Sequence, residues 1–253
     1  MKTKQEDPEF SVGYSPELPP GTRKFLQSFL LIVFVSIALG VTSLAFFQEN
    51  GDRGHFEFGV LKTYEGHLYS DPLPMLRTAE RSYILVGDGK FGADAWAEAW
   101  SPKAKGRRIR VRATLIERSP IAMLEIERET PPEILEESNL PQDLTHPPVE
   151  IVGEVDLQGE LVDSKCYLGV MRPAVGKVHR ACAIRCLSGG VPPGLLLRNA
   201  KLDTSVMVLL AQPGRLQGRV SPKWAAREVH AHGTLEIRDG IPVLITSSIE
   251  LRK

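Results

Sequence analysis

The chain has 253 residues, 42% hydrophobic and 25% charged, the composition of a globular protein with apolar material for one large domain or two small ones. Its 31 Lys plus Arg balance 31 Asp plus Glu, so no net field draws it to nucleic acid, and nucleic acid is not an expected partner. Three cysteines are too few for a disulfide scaffold.

Residues 1–24 read as a polar tail. The segment that follows, FLQSFLLIVFVSIALGVTSLAFF (25–47), runs 23 residues without a charge. A helix needs about 20 apolar residues to cross the hydrocarbon core, so 25–47 is expected to be a transmembrane anchor in the lipid bilayer. A cleaved signal peptide fits less well. The polar tail before it is long, and the run ends in Leu44-Ala45-Phe46-Phe47 rather than at a small-x-small site. Lys2, Lys4, Arg23 and Lys24 precede the helix, and Arg53 is the first basic residue after it. The positive-inside rule then predicts a single-pass protein of the plasma (inner) membrane, with a cytoplasmic N-terminus and residues 48–253 on the outer, periplasmic side.

The part after the helix is duplicated. SPKAKGRRIRVRATLIERSPIAMLEI (101–126) aligns without a gap with SPKWAAREVHAHGTLEIRDGIPVLIT (221–246), at an offset of 120. Upstream, TYEGHLYSDP (63–72) resembles DLQGELVDSK (156–165) at an offset of 93, and SYILVGDGK (82–90) resembles SVMVLLAQPGR (205–215). Each copy reads strand, strand, short connection, strand, turn, strand. Ile109 and Val111 alternate with Arg110 and Arg112, the period of a half-buried strand. Asp239-Gly240 between two apolar runs is a hairpin signal. ADAWAEAW (93–100) suits a short amphipathic helix closing a barrel end, with Trp96 and Trp100 as packing residues. The expected fold is mainly β: two duplicated OB-like small barrels, at 54–129 and 150–253, after a single transmembrane helix. A Pro- and acid-rich linker, 130–149, joins them.

The offset grows from 93 to 120, so the second copy holds a net insertion of 27 residues after its opening strands. Every cysteine lies in this insertion (166–200), with one histidine among them. KVHRACAIRCLSGG (177–190) reads as a helix stopped by Gly189-Gly190. Steps of three and four place His179, Cys182 and Cys186 on one face, and Cys166 arrives from the preceding strand end. Three readings stay open. Three thiolates and an imidazole form a ligand set for zinc, and suit copper as well. Export favours a structural disulfide from Cys166 to Cys182 or Cys186, with one cysteine left over. Small cysteines facing a core would be inert.

GELVDSKCYLG followed by HRACAIRCLSGGVPPGLLL resembles small exported bacterial domains of unknown function. Those read roughly G-x-(I/V)-x-D-x-x-C, a histidine, C-x3-C, a glycine and an apolar strand. The resemblance covers residues 159–209. It implies that Asp163 supports Cys166, Cys182 and Cys186 as one unit, and it implies no activity.

Elsewhere, Arg107, Arg108, Arg110 and Arg112 form a basic run, the candidate contact for partner proteins of a membrane complex. His230 and His232 share a strand face and are expected on the solvated side. GDGKFG (87–92) reads as a turn, since it lacks the spacing of a phosphate loop. There is no Gly-x-Ser-x-Gly, no His-Glu-x-x-His and no legible nucleophile–base pair. The expectation is an exported, membrane-anchored protein with a metal or redox site in its second barrel. The alternative is a non-catalytic accessory subunit with a structural disulfide.

Overall fold

The computed structural model describes residues 18–47, 54–105, 107–135, 147–199, 204–211 and 220–252. Lys2, Lys4, Arg53 and positions 136–146 of the expected linker lie outside the described residues. The chain divides into two compact units, Met1–Gly51 and Asp52–Lys253.

In the first unit, helix α1 spans Pro20–Phe47. Pro20 occupies its first turn, where a missing N–H costs nothing. The helix is long and apolar enough to cross a bilayer, and none of its apolar stretch is covered by protein.

The second unit holds both barrels. The first has strands β2 (Lys62–Tyr69), β3 (Met75–Arg77), β4 (Ser82–Gly87), β5 (Arg108–Arg118) and β6 (Ile121–Ile126). They close in the order β5-β2-β3-β4-β6, with β6 back on β5; β4 and β6 are parallel and the other pairs antiparallel. Two-residue strands β1 (His55–Phe56) and β7 (Glu133–Ile134) add to β5. The second barrel has β8 (Val149–Asp163), β9 (Pro193–Asn199), β10 (Thr204–Ala211), β11 (Glu228–Arg238) and β12 (Ile241–Leu251), closed in the same order. The OB-like duplication read from the sequence is the observed fold.

Two details differ from the sequence reading. Each copy has five barrel strands, not four. The unread one is the second, which is three residues long in β3 and in β9 opens on the second proline of a Pro-Pro pair that masks strand character. The cysteine insertion therefore leaves the barrel between its first and second strands. In addition, residues 133–134 of the expected linker pair with β5, Ile134 opposite Ile109.

Each barrel has its own interior. Leu68, Leu76, Tyr83, Leu85, Ile109, Val111 and Leu124 fill the first, closed at one end by helix α2 (Asp94–Trp100) with Trp96 and Ala97 buried. Leu161, Leu195, Val208, Leu210, Val229 and Leu244 fill the second. A third cluster joins the barrels. Ile84, Val86, Ile121 and Met123 of the first meet Leu209, Ala211, Ile241 and Val243 of the second. This explains why YILV (83–86) and MVLLA (207–211) are unbroken apolar runs: both faces of these stretches of β4 and β10 are covered, one by the barrel interior and one by the other barrel. Polar contacts flank the seam. The Asp239 carboxylate accepts the Ser82 N–H at 2.6 Å and pairs with the Arg77 guanidinium. The Arg118 guanidinium lies 4.2 Å from the Tyr167 ring centroid and donates to the Tyr167 carbonyl.

Candidate metal centre

The site begins where β8 ends. Leu161, Val162 and Asp163 are buried, and Asp163 has no solvent exposure. Its Oδ1 accepts the Cys166 N–H at 2.8 Å. An Asp side chain that caps a backbone N–H three residues on favours a turn over further strand, and the chain enters a single π-helical turn, Cys166–Val170. Helix α3 (Gly176–Ser188) follows. Its first N–H, at Gly176, donates to Glu160 Oε1 of β8 at 2.5 Å, so β8 holds the helix as well as the strand end.

The helical face carrying His179, Cys182 and Cys186 turns toward Asp163 and Cys166. His179 Nε2 and Asp163 Oδ2 are 2.8 Å apart, and both side chains are buried. Cys166 and Cys186 are buried and Cys182 is half-buried. The ligand atoms form two overlapping sets, Cys166–His179–Cys182 and Asp163–Cys166–Cys186, each within 4.8 Å of one another. Cys166 belongs to both. All three thiols are free, so neither expected disulfide, Cys166–Cys182 or Cys166–Cys186, is formed.

The thiols are not equivalent. The hydrogen bond to Cys186, then burial, push the Cys166 thiol far above the usual range. The same hydrogen bond holds Cys186 below its ordinary value, helped by the Lys90 ammonium and opposed by burial. Lys90 donates to Cys182 Sγ at 2.8 Å, which raises the lysine's own pKa.

Four contributors were not legible as such. Lys165, between Asp163 and Cys166, is 1% exposed and donates to the Gly87 carbonyl, the Gly89 carbonyl and Glu125 Oε1 at 2.7, 2.8 and 2.7 Å. Ser164 is buried and donates to the Pro192 carbonyl at 2.6 Å. Lys90 and Glu125 come from the first barrel. The loop 87–92 that carries Lys90, read as a plain turn, lies against α3, with the Gly92 N–H donating to the Gly189 carbonyl at 2.9 Å. No local pattern marks these residues, because their partners are 28 to 92 positions away.

The other candidates stand apart from the cluster. Arg108 and Arg110 pair with Glu65, and Arg110 also with Glu133. Arg107 donates to the Lys103 carbonyl, and Arg112 is exposed. His230 and His232 are exposed on β11, beside Asp156 and Glu154.

Fold and site define a protein of two OB-like barrels, fused face to face, with a thiol–imidazole–carboxylate cluster in an insertion of the second. No known protein family, curated protein or solved structure matches the chain.

Proposed function

We propose that this is a membrane-anchored exported protein whose cluster binds one metal ion through Cys166, Cys182, Cys186 and His179. The observation that carries the reading is the buried His179–Asp163 hydrogen bond beside three unbridged thiols. A metal-bound histidine gives its second ring N–H to a carboxylate, which fixes tautomer and ring orientation. A proton on Nε2, held by Asp163, leaves the Nδ1 lone pair for a metal. Three sulfurs and one imidazole suit zinc or copper. Four protein ligands leave no open position, which favours a structural or redox role over Lewis-acid catalysis. Helix α1 would anchor the chain in the inner membrane, with Arg23-Lys24 on the cytoplasmic side and the barrels outside. A bound metal would also keep the thiols from oxidation in that compartment.

Elemental analysis tests this on the full chain, purified in detergent under reducing, metal-replete conditions. About one zinc or copper per chain is expected, lost in Cys166→Ser and Cys186→Ser. No stoichiometric metal would sink the reading. Thiol counting on the unfolded protein gives an independent check: two blocked cysteines and one reactive one would leave the disulfide.

A second reading, an accessory subunit of a membrane protein complex, has its own support. The start of β8 presents Val149, Ile151 and Val152 at 44, 69 and 54% exposure, beyond what a lone surface residue presents. Among the described residues Arg107 and Arg112 carry no ion pair and remain candidate contacts. Gentle extraction and sizing separate the readings. A monomer with no co-purifying protein counts against the subunit.

A further inference from the structure

The insertion belongs to the second barrel, but the cluster is enclosed by both. The loop 87–92 of the first barrel is fastened to it at four points. Lys165 takes the carbonyls of Gly87 and Gly89. The Gly92 N–H meets the Gly189 carbonyl. Lys90 reaches Cys182 Sγ. The approach is so close that a Cβ at Gly92 would run into the Gly190 carbonyl, and one at Gly189 into the Lys90 carbonyl. The loop is therefore held at a fixed distance from the thiols, with the ammonium on the solvent side over the half-buried sulfur.

We propose that Lys90 is the charge-balancing residue of the metal centre and that the centre is a composite of both barrels. This rests on the metal reading above. Three ligating thiolates and the buried Asp163 carboxylate carry four negative charges, and a buried site tolerates little excess charge. A divalent ion offsets two of them, and the Lys90 ammonium offsets a third. Lys165 does not enter the count, because Glu125 neutralises it.

The test uses the full chain in detergent, with zinc alone as the probe, its affinity measured by competition with a chromophoric chelator. Copper(I) is titrated in parallel. The variants are K90R, which keeps the charge, K90M, which removes it, and K90E, which reverses it. Lys90 is exposed, so all three should fold; circular dichroism of the metal-free forms confirms it. Expected is near-wild-type zinc affinity for K90R, a loss of about 10-fold for K90M and a larger loss, toward 100-fold, for K90E. That order follows charge, and a purely structural lysine would not produce it. Zinc affinity independent of charge at position 90 would overturn the role of Lys90 and leave the metal reading standing. Where copper(I) binds and zinc does not, copper(I) affinity independent of charge at position 90 would overturn that role equally. A wild-type chain that binds neither metal would overturn the metal reading and this inference with it.

Discussion

Lys165 shows what a single side chain contributes here. An ammonium has three donors, and all three are used, on two carbonyls of the first barrel and on Glu125. At 1% exposure it has no water to replace any of them. Removing one partner of a buried pair strands the other, so K165M is expected to lower unfolding free energy by about 3–5 kcal/mol in urea titration. Adding E125Q to K165M should cost less than the two single changes summed, because the two groups share one interaction. Equal, additive losses would mean that the pair is not coupled. None of this was legible in the sequence, where a lysine between Ser164 and Cys166 defaults to the surface. His179, Cys182 and Cys186 were legible because helical spacing is a local property. Asp163 was indicated by a resemblance rather than by periodicity.

At the scale of elements, helix α3 and the loop 87–92 behave as one piece. The helix limits came from local signals: favourable residues from Lys177 onward and a glycine stop at 189–190. The docking did not, because it depends on a segment about 90 positions upstream. Gly189→Ala separates the two effects. Alanine is about 1 kcal/mol better than glycine within a helix, but here its methyl would displace the Lys90 backbone. The net outcome expected is a loss of about 1–3 kcal/mol, read as a lower Tm of the metal-free protein. A raised Tm would show that the loop yields easily. Strands β3 and β9 were illegible for other reasons: the three residues of β3 are too few to show a period, and the prolines at the start of β9 hid its strand character.

At the scale of the molecule, the seam between the barrels is as apolar as their interiors. Ile84, Met123, Leu209 and Val243 are each 0% exposed. The barrels should therefore unfold together. Trp96 and Trp100 report on the first barrel and Trp224 on the second. Leu209→Ala is expected to destabilise by about 2–5 kcal/mol. It should shift the fluorescence transitions of single-tryptophan variants from either barrel by the same amount of urea. Two transitions that move apart would show independent domains. Fold class was read from the sequence because hairpins and alternation are local, and the repeat announced the duplication. The fusion of the copies was written in the same residues, as the unbroken apolar runs of β4 and β10, but a run covered on both faces does not say by what.

The seam also has a symmetry. At the offset of 120, Ile121 corresponds to Ile241 and Met123 to Val243. The strand registers, Ile84 beside Met123 and Leu209 beside Val243, make Ile84 and Leu209 counterparts too. Each copy thus offers the same patch to the other, an isologous contact within one chain, as in a homodimer whose subunits have been joined. The counterpart of Glu125 is Ile245. Two identical copies of the second barrel could build the seam. They could not give Lys165 its carboxylate. That buried ion pair can exist only where the two halves of the pseudo-dimer have ceased to be alike.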